Sequence, residues 1–109
     1  MHIFISYAKA DARDLALQLR DAFIALPNVS AWMDTSLNSG EDWAAQIQDE
    51  IDRADLVVVL LSQDVSRPAN HPSGRSFVLK EIHYAQQVKK TIIPIFVQKV
   101  KIPVQLAGI

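Results

Sequence analysis

The chain has 109 residues, half of them hydrophobic and 21% charged, which is the balance of one globular domain around one core. Eleven Lys and Arg against twelve Asp and Glu give a formal net charge of −1, so there is no basic surplus to neutralise a phosphate backbone, and direct nucleic-acid binding is not expected. With no cysteine, no apolar run of membrane-spanning length and no leader-like start, the expectation is a cytoplasmic domain without disulfides, thiolate metal sites or membrane contact.

His2–Tyr7 is β-branched and aromatic and reads as a first strand. Asp11–Leu26 reads as a helix with Leu15, Leu19, Ala22, Phe23 and Leu26 on one face. Asp11 is its expected N-cap, and Pro27 with Asn28 ends it. Val29–Asp34 is a short second strand, followed by the polar loop Thr35–Gly40. A second helix then opens on Glu41 and Asp42 and buries a stripe of Ala44, Ile47, Ile51 and Ala54. Leu56–Ser62 is apolar until its last residue, as a central strand covered on both faces should be. The loop Gln63–Ser76 is long for so compact a chain and hints at function. Phe77–Lys90 reads as a third helix and Thr91–Val97 as a fourth strand, which Pro94 assigns to a sheet edge or a bulge. Ile102–Ile109 resembles the approach to a further strand, so the C-terminal part of the fold is expected to be missing.

Strands and helices in strict alternation predict an α/β fold with a parallel sheet and right-handed crossovers. Such sheets bind ligands at the carboxyl ends of their strands, which here are Tyr7 with its turn, Asp34, Ser62 and Val97. Common chemistries fail there. His2, His71 and His83 lack paired ligand spacing, so no metal site is expected. Neither Ser6 nor Ser62 lies in a Gly-x-Ser-x-Gly elbow, and Gly40 stands outside any phosphate-cradling pattern. A response regulator's acidic pocket would need acids where this chain has Tyr7-Ala8 and Ser62-Gln63.

Five segments stand out in order along the whole chain: the Phe4-Ile5-Ser6-Tyr7 core of the first strand; Trp32-Met33-Asp34 followed by Leu37, Gly40 and Trp43; the strand ending Leu61-Ser62; the helix start Ser76–Ile82; and the Ile-Pro-Ile strand around Pro94. Together they resemble TIR domains. The resemblance implies a flavodoxin-like three-layer sandwich and, for catalytic members, cleavage of NAD+ at the nicotinamide–ribose bond to give nicotinamide and ADP-ribose or a cyclic ADP-ribose. It carries the catalytic glutamate onto Glu81 and the substrate pocket onto Tyr7, Ala8, Lys9, Asp34, Trp43 and Phe77. The BB loop, which docks on a neighbouring TIR domain in assemblies, falls on Thr35, Ser36, Leu37, Asn38, Ser39 and Gly40. NAD+ is then the substrate, and no cofactor is called for.

The chemistry suits one carboxylate. Nicotinamide leaves as a neutral molecule from a cationic substrate and needs no general acid, whereas the oxocarbenium-like ribose needs a nearby negative charge. Phe77 and Tyr84, about one turn to either side, would give Glu81 apolar flanks, and Tyr7, Trp32 or Trp43 would offer a stacking face. A lone glutamate on a helix is ordinarily a solvated residue, and a tryptophan in a short strand is ordinarily core. The alternative is a non-catalytic TIR adaptor acting by homotypic contacts. The family's bacterial members that deplete NAD+ in antiviral defence are commonly fused to a sensor, so residues 1–109 are expected to be one TIR domain, the N-terminal effector of a longer protein.

Overall fold

The computed structural model describes residues 1–8, 11–34, 41–62 and 77–97, with the side chains of residues 41–44 and 77 left out. The elements alternate as the pattern requires: β1 (His2–Ser6), α1 (Arg13–Ile24), β2 (Ser30–Met33), α2 (Glu41–Arg53), β3 (Leu56–Leu61), α3 (Phe77–Gln87) and β4 (Ile92–Phe96). All described strand pairs are parallel, in the order β2-β1-β3-β4, and the fold is α/β of the flavodoxin type.

The period-two alternation of strand side chains divides the core into two. Phe4, Val57, Val59 and Leu61 pack with Ile47, Ile51 and Ala54 of the α2 segment and Val78, Leu79, Ile82 and Ala85 of α3. Ile3, Ile5, Met33, Val58 and Leu60 pack on the other face with Ala12 and Ala16, joined by Leu15, Leu17, Leu19 and Phe23. Helices therefore cover both faces of β1 and β3, which explains the unbroken apolar run Leu56–Leu61. The chain steps from β1 outward to β2, then back across β1 to β3. This reversal puts a topological switch point between β1 and β3, where an open α/β sheet forms its ligand crevice.

Pro94 stands on β4, the outer strand among the described residues. The Val57 N–H donates to the Thr91 carbonyl and the Val97 N–H to the Leu61 carbonyl, so odd-numbered residues of this segment face β3. The ring nitrogen of Pro94 therefore points away from β3 and costs the shared ladder no donor.

Some boundaries differ from expectation. Helix α1 starts at Arg13 behind an Ala12 N-cap that makes no side-chain cap bond; Asp11 is not the cap. Its contact face includes the small Ala16, while Ala22 and Leu26 are exposed, Leu26 lying beyond the helix end. Helix α3 stops before Lys90: Lys89 takes a left-handed φ of 59°, and the Lys90 N–H closes the end by donating to the Ala85 carbonyl at 2.9 Å. The loops Thr35–Gly40 and Gln63–Ser76 and the terminal segment Ile102–Ile109 lie outside the described residues. No helix among the described residues is long and apolar enough to cross a membrane.

Candidate functional site

The switch point gathers a polar cluster at the carboxyl ends of the strands. Past β1 the chain runs through Tyr7 and Ala8, 5% and 4% exposed, and turns on the Ala8 carbonyl. That oxygen accepts the N–H groups of Asp11 at 3.4 Å and Ala12 at 3.0 Å. The Tyr7 hydroxyl donates to the main-chain carbonyl of Asp34, which joins the ends of β1 and β2. Across the crevice the Ser62 hydroxyl, 1% exposed, donates to Asp11 Oδ1 at 2.5 Å.

Glu81 reaches this edge from α3. Val78, Glu81, Ile82 and Ala85 follow helical spacing and are all buried, so a carboxylate occupies the apolar stripe that packs on the sheet. It is only 7% exposed, which is rare for a glutamate. The Tyr7 pKa is raised, first by burial, then by the Asp34 charge, with Glu81 adding in the same direction while Arg13 and Arg20 oppose. Glu81 and Tyr7 thus lie within one another's field, although α3 and α1 sit on opposite faces of the sheet.

The structure brings together Tyr7, Ala8, Asp34 and Glu81 from the expected pocket. Lys9 and Thr35, Ser36, Leu37, Asn38, Ser39 and Gly40 lie outside the described residues, as do the side chains of Trp43 and Phe77, whose backbones belong to α2 and α3. Two of the aromatic candidates have other commitments. Trp32 stacks on Phe4 at 5.3 Å and belongs to the core, and the Tyr84 hydroxyl donates to Asp52 on α2 at 2.7 Å.

Two features escaped the sequence reading. Asp11 was expected at the helix cap and instead binds Ser62, a polar residue closing an otherwise apolar strand; that isolated serine was the available signal. Ser6 is fully buried, and its Oγ has no hydrogen-bond partner among the described residues. By strand alternation Ser6 shares the sheet face of Phe4 and Ala8, the face on which α3 packs. A buried hydroxyl without a partner forfeits about 1–3 kcal/mol of hydration, and such sites often have functional roles.

The TIR domain family matches residues 3–109. Among solved structures, the fold is similar to the TIR domains of the activated plant Roq1 resistosome directly recognizing the pathogen effector XopQ, with a TM-score of 0.67 and 19% identity. That match covers 87% of this chain and 56% of the Roq1 chain, so this chain spans little more than half of that relative's length. No curated protein matches in sequence. The family match extends over nearly the whole chain, from the first strand through the switch-point cluster to α3 and beyond, and the chain belongs to the TIR domain family.

Proposed function

We propose that this domain hydrolyses NAD+ at the nicotinamide–ribosyl bond, with Glu81 as the catalytic carboxylate. The observation that supports the reading is a glutamate buried on the apolar stripe of α3, whose charge contributes to the raised pKa of Tyr7 at the carboxyl end of β1. Membership in a family that includes NAD+-cleaving enzymes supports it.

In this scheme the C1′–N bond breaks and its electron pair stays on the nicotinamide nitrogen, which leaves neutral. The positive charge that develops on the ribose is offset by the Glu81 carboxylate, whose field is strengthened by its poor hydration. Water adds to C1′ and releases its proton, giving ADP-ribose; attack by the adenine instead gives a cyclic product. Tyr7 and Ala8 form the wall of the pocket, with Asp34 fixing the Tyr7 hydroxyl. Lys9, Trp43 and Phe77 complete the proposed contacts with substrate. The segment Thr35–Gly40 is proposed to dock on a second TIR domain, so that activity rises with assembly. The domain then serves as the NAD+-depleting effector of a longer bacterial defence protein with a sensor.

The test is nicotinamide release from NAD+ by the purified domain, dilute and under crowding, with Glu81→Ala as control. Glu81-dependent release, greater under crowding, is expected. Release that survives Glu81→Ala would remove the catalytic assignment. Silence in both conditions, with intact homotypic association, would favour a non-catalytic adaptor.

A further inference from the structure

We infer that Ser62 and Asp11 form a positioning pair for the substrate site, their hydrogen bond spanning the β1–β3 switch point and holding the turn that presents Tyr7 and Ala8. The inference rests on the NAD+ reading for its catalytic consequence and on the geometry alone for its structural one.

Three observations carry it. At 2.5 Å, the bond has the short length of a hydroxyl donating to a carboxylate, among the stronger hydrogen bonds in proteins. Asp11 makes this bond from a position where a helix cap was expected, and its carboxylate reaches across to the residue that follows β3. The described residues on either side of the turn are hydrogen-bonded to one another. Asp11 and Ala12 donate to the Ala8 carbonyl, Ala16 donates to the Ala12 carbonyl, and Tyr7 reaches sideways to Asp34.

The consequence is a chain of fixed positions from the end of β3 to the wall facing the substrate. Ser62 is buried directly after the last residue of β3, a central strand, and its backbone is tied to that strand's end. Asp11 is tied to that end by its bond to Ser62, and Ala8 is tied to Asp11 and Ala12 by their N–H groups on its carbonyl. Small displacements at such a wall have large kinetic effects, because a misplacement of about 1 Å can lower a rate about 100-fold. Neither residue need touch substrate to act in this way.

The experiment compares wild type with Ser62→Ala, Ser62→Thr and Asp11→Asn by two readouts. The first is the ring-carbon NMR signal of Tyr7 at neutral pH, assigned with Tyr84→Phe, since the chain has only two tyrosines. Tyr84, bound to Asp52 on the α2–α3 side, serves as an internal control. The second is kcat and KM for NAD+. Ser62→Ala should move the Tyr7 signal toward that of a free phenol, leave Tyr84 in place, and lower kcat/KM about 10- to 100-fold. Asp11→Asn should shift Tyr7 in the same direction, and Ser62→Thr should restore both readouts. An unmoved Tyr7 signal in Ser62→Ala would overturn the clamp, and equal movement of both tyrosines would overturn it in favour of general loosening. A moved Tyr7 with unchanged kcat/KM would overturn the catalytic part. A wild type that releases no nicotinamide would overturn the NAD+ reading, while the Tyr7 signal would still decide the clamp.

Discussion

The Glu81 charge, on the helix layer of one face of the sheet, helps to raise the pKa of the Tyr7 phenol, which packs in the core of the other face. Burial, the Asp34 charge and the Glu81 charge all favour the neutral phenol and raise its pKa above the ordinary 10.0. A group that binds its proton more tightly when folded stabilises the fold below its unfolded pKa and loses that contribution as pH rises through its folded value. Urea midpoints of wild type should therefore fall above about pH 10. Tyr84, raised chiefly by its hydrogen bond to Asp52, contributes in the same direction, so the comparison is best made in a Tyr84→Phe background. Adding Tyr7→Phe there should flatten the remaining slope. At neutral pH it should cost about 1 kcal/mol through the lost bond to Asp34. An unchanged alkaline slope would show that Tyr7 does not titrate in this environment.

Glu81→Gln keeps the shape of the side chain and removes its charge. If the carboxylate offsets charge developing on ribose, kcat for nicotinamide release should fall by about 100-fold or more. The amide has nearly the same volume and can stay in the same nearly buried position, so the domain should still fold. A cooperative melting transition near that of wild type, together with lost turnover, is the expected pair of results. Lost turnover with a collapsed melting temperature would mean that Glu81 holds the fold rather than the reaction.

The architecture was legible because two periodicities dominate the sequence. The all-apolar run Leu56–Leu61 is what a strand covered on both faces requires, and Pro94 restricted its strand to an edge or a bulge, as found for β4, the outer strand among the described residues. The position of Glu81 was legible from family resemblance alone. Composition and spacing give a helix glutamate no distinction, and its burial depends on how α3 packs against strands distant in sequence. The bond between Ser62 and Asp11 was hidden for the same reason. Local rules assign Asp11 to the nearest helix start, whereas a buried hydroxyl from a residue 51 positions away claims its carboxylate. The burial of the Ser6 hydroxyl, without a partner among the described residues, was likewise invisible until both faces of β1 were filled.

At the opposite edge of the sheet His2 bridges three segments. Its Nδ1 lies 2.8 Å from Ser30 Oγ, its Nε2 lies 2.8 Å from Glu50 Oε2, and its main-chain N–H donates to Asp55 at 2.8 Å. The ring thus ties β1 to β2 and to α2 across the end remote from the proposed site. His2→Ala should destabilise the domain by about 1–2 kcal/mol, and a double-mutant cycle with Glu50→Ala should show strong coupling. Once the protein is folded, kcat and KM should match wild type. A selective change in KM would link this edge to substrate and contradict the division of labour between the two ends.

Lys89 offers a gain in stability where no chemistry is at stake. Its φ of 59° lies in the left-handed region, where the side chain of a non-glycine residue crowds its own backbone at a cost of about 1 kcal/mol. The conformation is imposed by the end of α3: the Val88 N–H still donates to the Tyr84 carbonyl, and the Lys90 N–H reaches back to Ala85. Glycine takes this φ without strain, although it also loosens the unfolded chain and so returns part of the gain. Lys89→Gly should leave this hydrogen-bonded closure intact and raise stability by up to about 1 kcal/mol, read as a higher urea midpoint at unchanged m-value. Lys89→Val is the converse control, since a β-branched residue fits this region worst, and it should lower the midpoint. If both variants unfold with wild-type midpoints, the left-handed turn does not limit the stability of α3, and the Phe77–Gln87 helix is held by its packing against α2, β1 and β3.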